Sequence, residues 1–226
     1  MTSTFDFEFE RKFTVLADTT FPIENGSYIF QGFPYIGNEC TVRVRMEAAI
    51  ESVCRIQEES CPNLRSSDGL LQLLTNVDCN EEGLLTIKET GGGRSGVRYE
   101  KEVSISSEVV KSILMDLACR NPSSVVLKRR YSHITSFDDR TWSWEIDVFE
   151  GANAPLLLAE CEDAEPVADL WIPNFCHREV TGDIRFTNAY LATHPFSSWS
   201  DSSMFLSGPT FSDEFGTNTF ESGGSD

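Results

Sequence analysis

Residues 7–15 read FEFERKFTV, and this alternation decides the fold. In an extended chain, successive side chains point to opposite faces. Glu8, Glu10 and Lys12 therefore share one face, with Phe7, Phe9, Phe13 and Val15 on the other. The same pattern returns along the chain. Thr41–Met46 sets Arg43 and Arg45 against Val42, Val44 and Met46. Leu84–Lys88 sets Lys88 against Leu85 and Ile87. Arg98–Ile105 gives Arg98, Glu100 and Glu102; Val125–Tyr131 gives Lys128 and Arg130. Trp142–Phe149 gives Glu145 and Asp147, with Trp142 and Trp144 on the core side, and Leu156–Glu162 gives Glu160 and Glu162. Ile184–Phe186 is expected to be an eighth short strand carrying Arg185.

Amphipathic strands with one solvated face are common, but these polar faces are almost purely charged, carry both signs in doublets, and lie opposite strongly apolar faces. A closed antiparallel barrel satisfies all three features, with the charges inside and helices packed outside. The expected class is α+β, mainly β: a closed eight-stranded antiparallel barrel around a polar tunnel. Buried charges must be paired or bound to ions. Basic doublets suit phosphate, which Arg binds bidentately. Carboxylate doublets suit a hard divalent cation such as Mg²⁺ or Mn²⁺. Together they describe a site for a metal-bridged phosphate chain.

Helices are expected over Ser106–Arg120, which Asn121-Pro122 stops, over Met46–Glu59 and Leu70–Val77, and in short form over Pro166–Leu170 and Thr187–Ala192. Residues 195–226 are rich in Ser, Gly, Thr and Phe and contain no Lys or Arg. They read as a mobile tail whose phenylalanines have docking onto the body as the alternative. Gly91–Gly93 reads as part of a hairpin connection, because the P-loop lysine is missing.

The 226 residues carry 36 Asp+Glu against 18 Lys+Arg, a net charge of -18. So acidic a surface argues against nucleic acid and anionic membranes as partners, while leaving room for a small anionic ligand inside. No apolar run approaches the roughly 20 residues of a membrane span. The acidic N-terminus does not read as a signal peptide, so a cytoplasmic location is expected. The seven cysteines, an odd number with no C-x-x-C pair, read as free thiols. His133, His177 and His194 are scattered and read as surface residues.

In order, the chain presents E-x-E-x-K at Glu8–Lys12, QGF at Gln31–Phe33, VRVR at Val42–Arg45, TIK at Thr86–Lys88 and R-x-E-x-E at Arg98–Glu102. KRRY at Lys128–Tyr131, EIDVFEG at Glu145–Gly151, LLAECE at Leu157–Glu162 and EVTGDIRFTNAYLA at Glu179–Ala192 follow. This ordered set resembles the CYTH domain family, the triphosphate tunnel metalloenzymes, and within it the compact bacterial-type members associated with tripolyphosphatase activity. The resemblance implies a tunnel-barrel domain over 1–194, with an insertion at about 47–83 and a separate tail over 195–226. It implies metal-dependent hydrolysis of the terminal phosphate of a linear triphosphate, most of all inorganic tripolyphosphate. Thiamine triphosphatase, nucleoside triphosphatase or class IV adenylate cyclase activity, and a non-catalytic phosphate-chain-binding module, are the alternatives.

Carried over by position, Lys12, Arg43, Arg45, Lys88, Arg98, Lys128, Arg130 and Arg185 would hold phosphates. Glu8, Glu10, Glu160 and Glu162 would be the metal carboxylates, with Glu145 and Asp147 beside them and Glu100 and Glu102 in support. The attacking water falls to the Glu10, Glu160 and Glu162 group.

Overall fold

A computed structural model describes residues 9–16, 26–89, 100–137, 139–163 and 170–206. In chain order the elements are β1 Phe9–Val15, β2 Gly26–Ile36, β3 Cys40–Ala48, α1 Ile50–Ser60, α2 Ser67–Asn76, β4 Glu82–Glu89 and β5 Glu100–Ser106. There follow α3 Ser107–Arg120, β6 Val125–Phe137, β7 Arg140–Phe149, β8 Leu157–Asp163, β9 Cys176–Glu179 and α4 Asn188–Leu191. The strands form one antiparallel sheet in the order β5-β4-β3-β2-β6-β7-β8-β1-β9.

This departs from the expected closed barrel of eight strands. Among the described residues no ladder joins the outer strands β5 and β9, and the sheet has nine strands. Two of them lack the alternation that marked the others. β2 is GSYIFQGFPYI, buried on both faces along its middle between β3 and β6, so its sequence is a continuous run rather than an alternating one. β9 is four residues long and meets β1 through an irregular register. Ile184–Phe186, the expected strand, is instead a 3-10 turn: the Arg185 backbone N–H donates to Asp183 Oδ1 at 3.0 Å, just after Gly182 turns the chain at φ +76°.

The sheet divides its two faces between different tasks. On one face, α1, α2 and α3 cover Tyr28, Phe30, Val44, Met46 and Leu127, burying Val53, Leu70, Leu73, Val110 and Leu114. A Cβ on Gly32 would come within 2.7 Å of both Leu114 and Leu117, so α3 rests directly on β2 there. α1 begins at Ile50 rather than Met46 because Met46 and Ala48 stay in β3, opposite Phe30 and Tyr28. α2 begins earlier than expected because the Ser66 hydroxyl accepts a hydrogen bond from the Gly69 N–H. The helices of the stretch 47–83 thus form part of this layer. Further along the same face, Phe13, Trp142, Trp144 and Ile146 pack with Phe175 and Cys176.

The other face carries the charges. Its lower end is apolar, and Phe33, Val126, Phe149 and Leu158 meet Phe186, Leu191, Phe196 and Phe205 there. The first part of the expected mobile tail is therefore packed. Phe196 and Phe205 are buried, and the Phe196 N–H donates to Asn153 Oδ1 at 2.9 Å. Aromatic side chains every few residues supply the anchoring area. Residues 207–226, and most of the expected helix at Pro166–Leu170, lie outside the described residues. All seven cysteines are free thiols.

Candidate active site

Cross-strand partners in an antiparallel sheet share a face, and the register brings the expected residues onto one. Glu10 lies opposite Glu162 and Lys12 opposite Glu160. Glu160 in turn lies opposite Glu145, and Asp147 opposite Arg130. The Lys12 Nζ sits 2.9 Å from Glu160 and 2.7 Å from Glu10. Arg130 forks onto both Asp147 oxygens, with Nε and Nη2 each donating at 2.7 Å, and also reaches Glu145 and, at 3.6 Å, Glu160. Lys128 donates to the same Asp147 carboxylate. The helices cover the opposite face, and the C-terminal turns cover the apolar end of this one. Lys128 is 1% exposed, Asp147 0% and Glu160 8%.

Across β2 a second group continues the face. The Arg43 Nη2 donates to Thr86 Oγ1 at 3.0 Å and to Glu102 at 3.2 Å, while the Thr86 hydroxyl donates to Glu102 at 3.0 Å. Lys88 pairs with Glu100 at 2.7 Å, and the Arg45 Nε donates to Glu47 at 3.0 Å. Strand alternation extends the β3 face to Glu47, an acid that the expected helix over Met46–Glu59 had taken out of the sheet. Thr86 was missed because an uncharged hydroxyl carries no signal of its own.

The charges tune one another. Burial alone would raise the Asp147 pKa, but Lys128 and Arg130 hold its carboxyl well below the usual carboxylate range. Burial works against the charge on Lys12, yet Glu160 and Glu10 outweigh it and raise its pKa. The same contest at Arg130 ends with its pKa raised, mainly by Asp147. Burial prevails at Lys128 and at Arg43, where it lowers the pKa despite acidic neighbours. At Glu47 burial is outweighed by Arg45, and the pKa falls.

Not every expected residue joins the face. Glu8 and Arg98 lie outside the described residues; Glu162 is on the face, at its exposed edge. Arg185 stands in the 3-10 turn, paired with Asp183 at 2.7 Å and Asp201 at 3.0 Å, its guanidinium 5.4 Å from the Phe205 ring centre and 5.5 Å from that of Trp199. In that position it ties the C-terminal turns together. His177, expected at the surface, is buried where β9 meets β1, its Nδ1 3.3 Å from Thr14 Oγ1.

Among the described residues no three ligating side chains are gathered tightly enough to hold a metal ion. The donor set nonetheless fits a hard cation, for Glu10, Glu162, Glu160 and Glu145 occupy neighbouring rungs of β1, β8 and β7 and offer only oxygen. Asp147 fits this role less well, since both its oxygens are taken by buried cations.

The chain is 27% identical over 194 residues to an inorganic triphosphatase of Acetivibrio thermocellus, covering 86% of this chain and 98% of that one. Among solved structures, the inorganic triphosphatase NE1496 matches at 23% identity and a TM-score of 0.48, covering 82% of this chain and 94% of the other. The Hippeastrum protein HpAC1 matches at 13% identity and a TM-score of 0.37, covering 70% and 80%. No family model matches the chain. An antiparallel sheet with one face of alternating acids and bases defines the class, and the end-to-end similarity to a triphosphatase agrees with the ordered motifs. The chain is thus similar to an inorganic triphosphatase along nearly the whole of that protein, as the ordered motifs lead one to expect.

Proposed function

We propose that this protein hydrolyses the terminal phosphate of a linear triphosphate, with inorganic tripolyphosphate as the substrate the site suits best. The observation that carries this is the charged face itself: Lys12, Lys128 and Arg130 interlocked with Glu160, Asp147 and Glu145, most of them withdrawn from solvent. The similarity to a triphosphatase over nearly its whole length supports the same reading. Water attacks the terminal phosphorus, the phosphoanhydride bond to the bridging oxygen breaks, and phosphate and pyrophosphate leave. Such a reaction needs positioning and charge neutralisation more than covalent help.

Lys12, Lys128 and Arg130 on one side, and Arg43, Arg45 and Lys88 on the other, would grip the phosphate oxygens. Arg98 is assigned the same role, from sequence alone. Arg185, tied to Asp183 and Asp201, is assigned to closing the lower end rather than to gripping phosphate. Glu10, Glu160 and Glu162, with Glu8 next along the chain and Glu145 beside them, would hold Mg²⁺ or Mn²⁺. A divalent cation there supplies neutralisation of phosphate charge and Lewis acidity toward water. Glu160, buried beside Lys12, orients the attacking water through its carboxylate. Glu100 and Glu102 hold Lys88 and Arg43 in place.

The test is phosphate release from tripolyphosphate, pyrophosphate, ATP and thiamine triphosphate, with and without Mg²⁺ or Mn²⁺. Metal-dependent turnover, fastest on tripolyphosphate, is expected. No turnover of any of the four would overturn the enzyme reading, and cyclic AMP formed from ATP would favour a cyclase.

A further inference from the structure

Gln31 stands in the middle of β2, opposite Arg45 on β3 and Val126 on β6. Its side chain therefore points to the charged face, at the level where the ion pairs give way to the apolar floor of Phe33 and Val126. It is 2% exposed, and its Nε2 has no hydrogen-bond partner. A buried donor left without an acceptor is costly, and most are satisfied. Among the described residues no carboxylate of the face accepts from it. The acid closing β3, Glu47, is taken by Arg45, and Asp147 is taken by Lys128 and Arg130. The acceptor it lacks is not among the described residues. Among Arg45 and Lys128 it carries negative charge and presents oxygen.

We propose that Gln31 is a substrate-binding residue whose carboxamide N–H donates to a phosphoryl oxygen of the polyphosphate at the floor of the site. This rests on the triphosphatase reading and adds to it a neutral donor that no charge pattern reveals. A neutral donor has a distinct use there. It grips an anionic oxygen without bringing a further cation into a crowded interior.

The proposal separates stability from binding, and the two should move in opposite directions. In Gln31→Leu the unsatisfied donor is gone, so the urea midpoint of the protein without substrate should stay unchanged or rise. A hydrogen bond to a charged group is lost, so tripolyphosphate should bind roughly tenfold to a hundredfold more weakly in EDTA, and KM with Mn²⁺ should rise similarly. The kcat should change less than KM. Gln31→Glu can accept from Arg45 but cannot donate to phosphate, so it should bind more weakly still.

A Leu variant that binds tripolyphosphate as tightly as the unaltered protein would overturn the assignment, as would a Glu variant that keeps full affinity. A Leu variant that is less stable without substrate yet equally tight would mark Gln31 as a packing residue. If the unaltered protein neither binds nor turns over tripolyphosphate, the function reading falls and this assignment with it. If it does both and only the variants fail to differ, this assignment alone falls.

Discussion

Asp147→Asn removes one charge and almost no volume from the most enclosed part of the charged face. The carboxylate is 0% exposed and serves both Lys128, itself 1% exposed, and the forked Arg130. Lys128 would lose its carboxylate partner in a place where water cannot replace it, and Arg130 its bidentate one, keeping Glu145 and Glu160. Removing one member of a buried ion pair costs about 3–5 kcal/mol, a large share of the roughly 5–15 kcal/mol that holds a domain folded. Urea unfolding of the full chain at pH 7, extrapolated to water, should show a loss in that range. Adding Lys128→Met to Asp147→Asn removes one stranded cation and should return a substantial part of it.

The pH dependence follows from the same geometry. The folded pKa of Asp147 is depressed, so its stabilisation is complete above the ordinary value of 3.8 and is lost as pH falls from there through the folded value. The gap between the unaltered protein and Asp147→Asn should therefore stay constant from neutral pH down to about pH 4 and narrow only below it. A variant within about 1 kcal/mol of the unaltered protein at pH 7, or a double variant no more stable than the single one, would refute this account of the buried charges.

Glu160→Gln should abolish metal-dependent phosphate release while leaving the circular dichroism unchanged; unaltered rates would remove Glu160 from the reaction. Ending the chain at His194 should uncover Phe186, Phe149 and Leu191, lower the melting temperature and raise dye binding to exposed apolar surface. Leu114→Ala, under α3 on the helical face, should cost about 2–5 kcal/mol without altering KM for tripolyphosphate. Mn²⁺ affinity, read from the free-ion resonance signal, should rise when tripolyphosphate is present and fall back in Glu160→Gln.

The strands that bury one face could be read from the sequence, because alternation is a direct imprint of that burial. Arg43 and Arg45 against Val44 and Met46 needed no further information. β2 escaped for the converse reason: buried on both faces, it has no polar side to alternate with. β9 is too short to carry a pattern, and its place is set by pairing with β1. Arg185 shows the limit of reading by position. A basic residue between Ile184 and Phe186 looks like one rung of a strand, but the neighbouring Asp183 and Gly182 bend the chain into a turn and give the guanidinium local partners. Gln31 and Thr86 were hidden because their roles depend on which charged neighbour the register places across from them.

The face that would receive a polyanion is not electropositive when empty. Lys12, Arg43, Arg45, Lys88, Lys128 and Arg130 are each ion-paired to a carboxylate on the same or a neighbouring strand. A phosphate chain entering this face competes with those carboxylates for the same donors. Each cation it takes leaves an acid without its partner, and an unpaired carboxylate in so enclosed a place is unfavourable. Asp147, deepest and doubly held, is the least ready to let go, whereas Glu10 and Glu145, nearer solvent, release most easily. These two acids lie on β1 and β7, opposite Glu162 and Glu160 of β8, on rungs whose oxygens would suit a divalent cation. On the proposed function, phosphate binding and metal binding would be two halves of one exchange of partners, and each would strengthen the other by the same factor. A chain of net charge -18 could in this way hold a short polyanion inside it, because a divalent cation would offset part of the anion's charge and the freed acids would meet that cation.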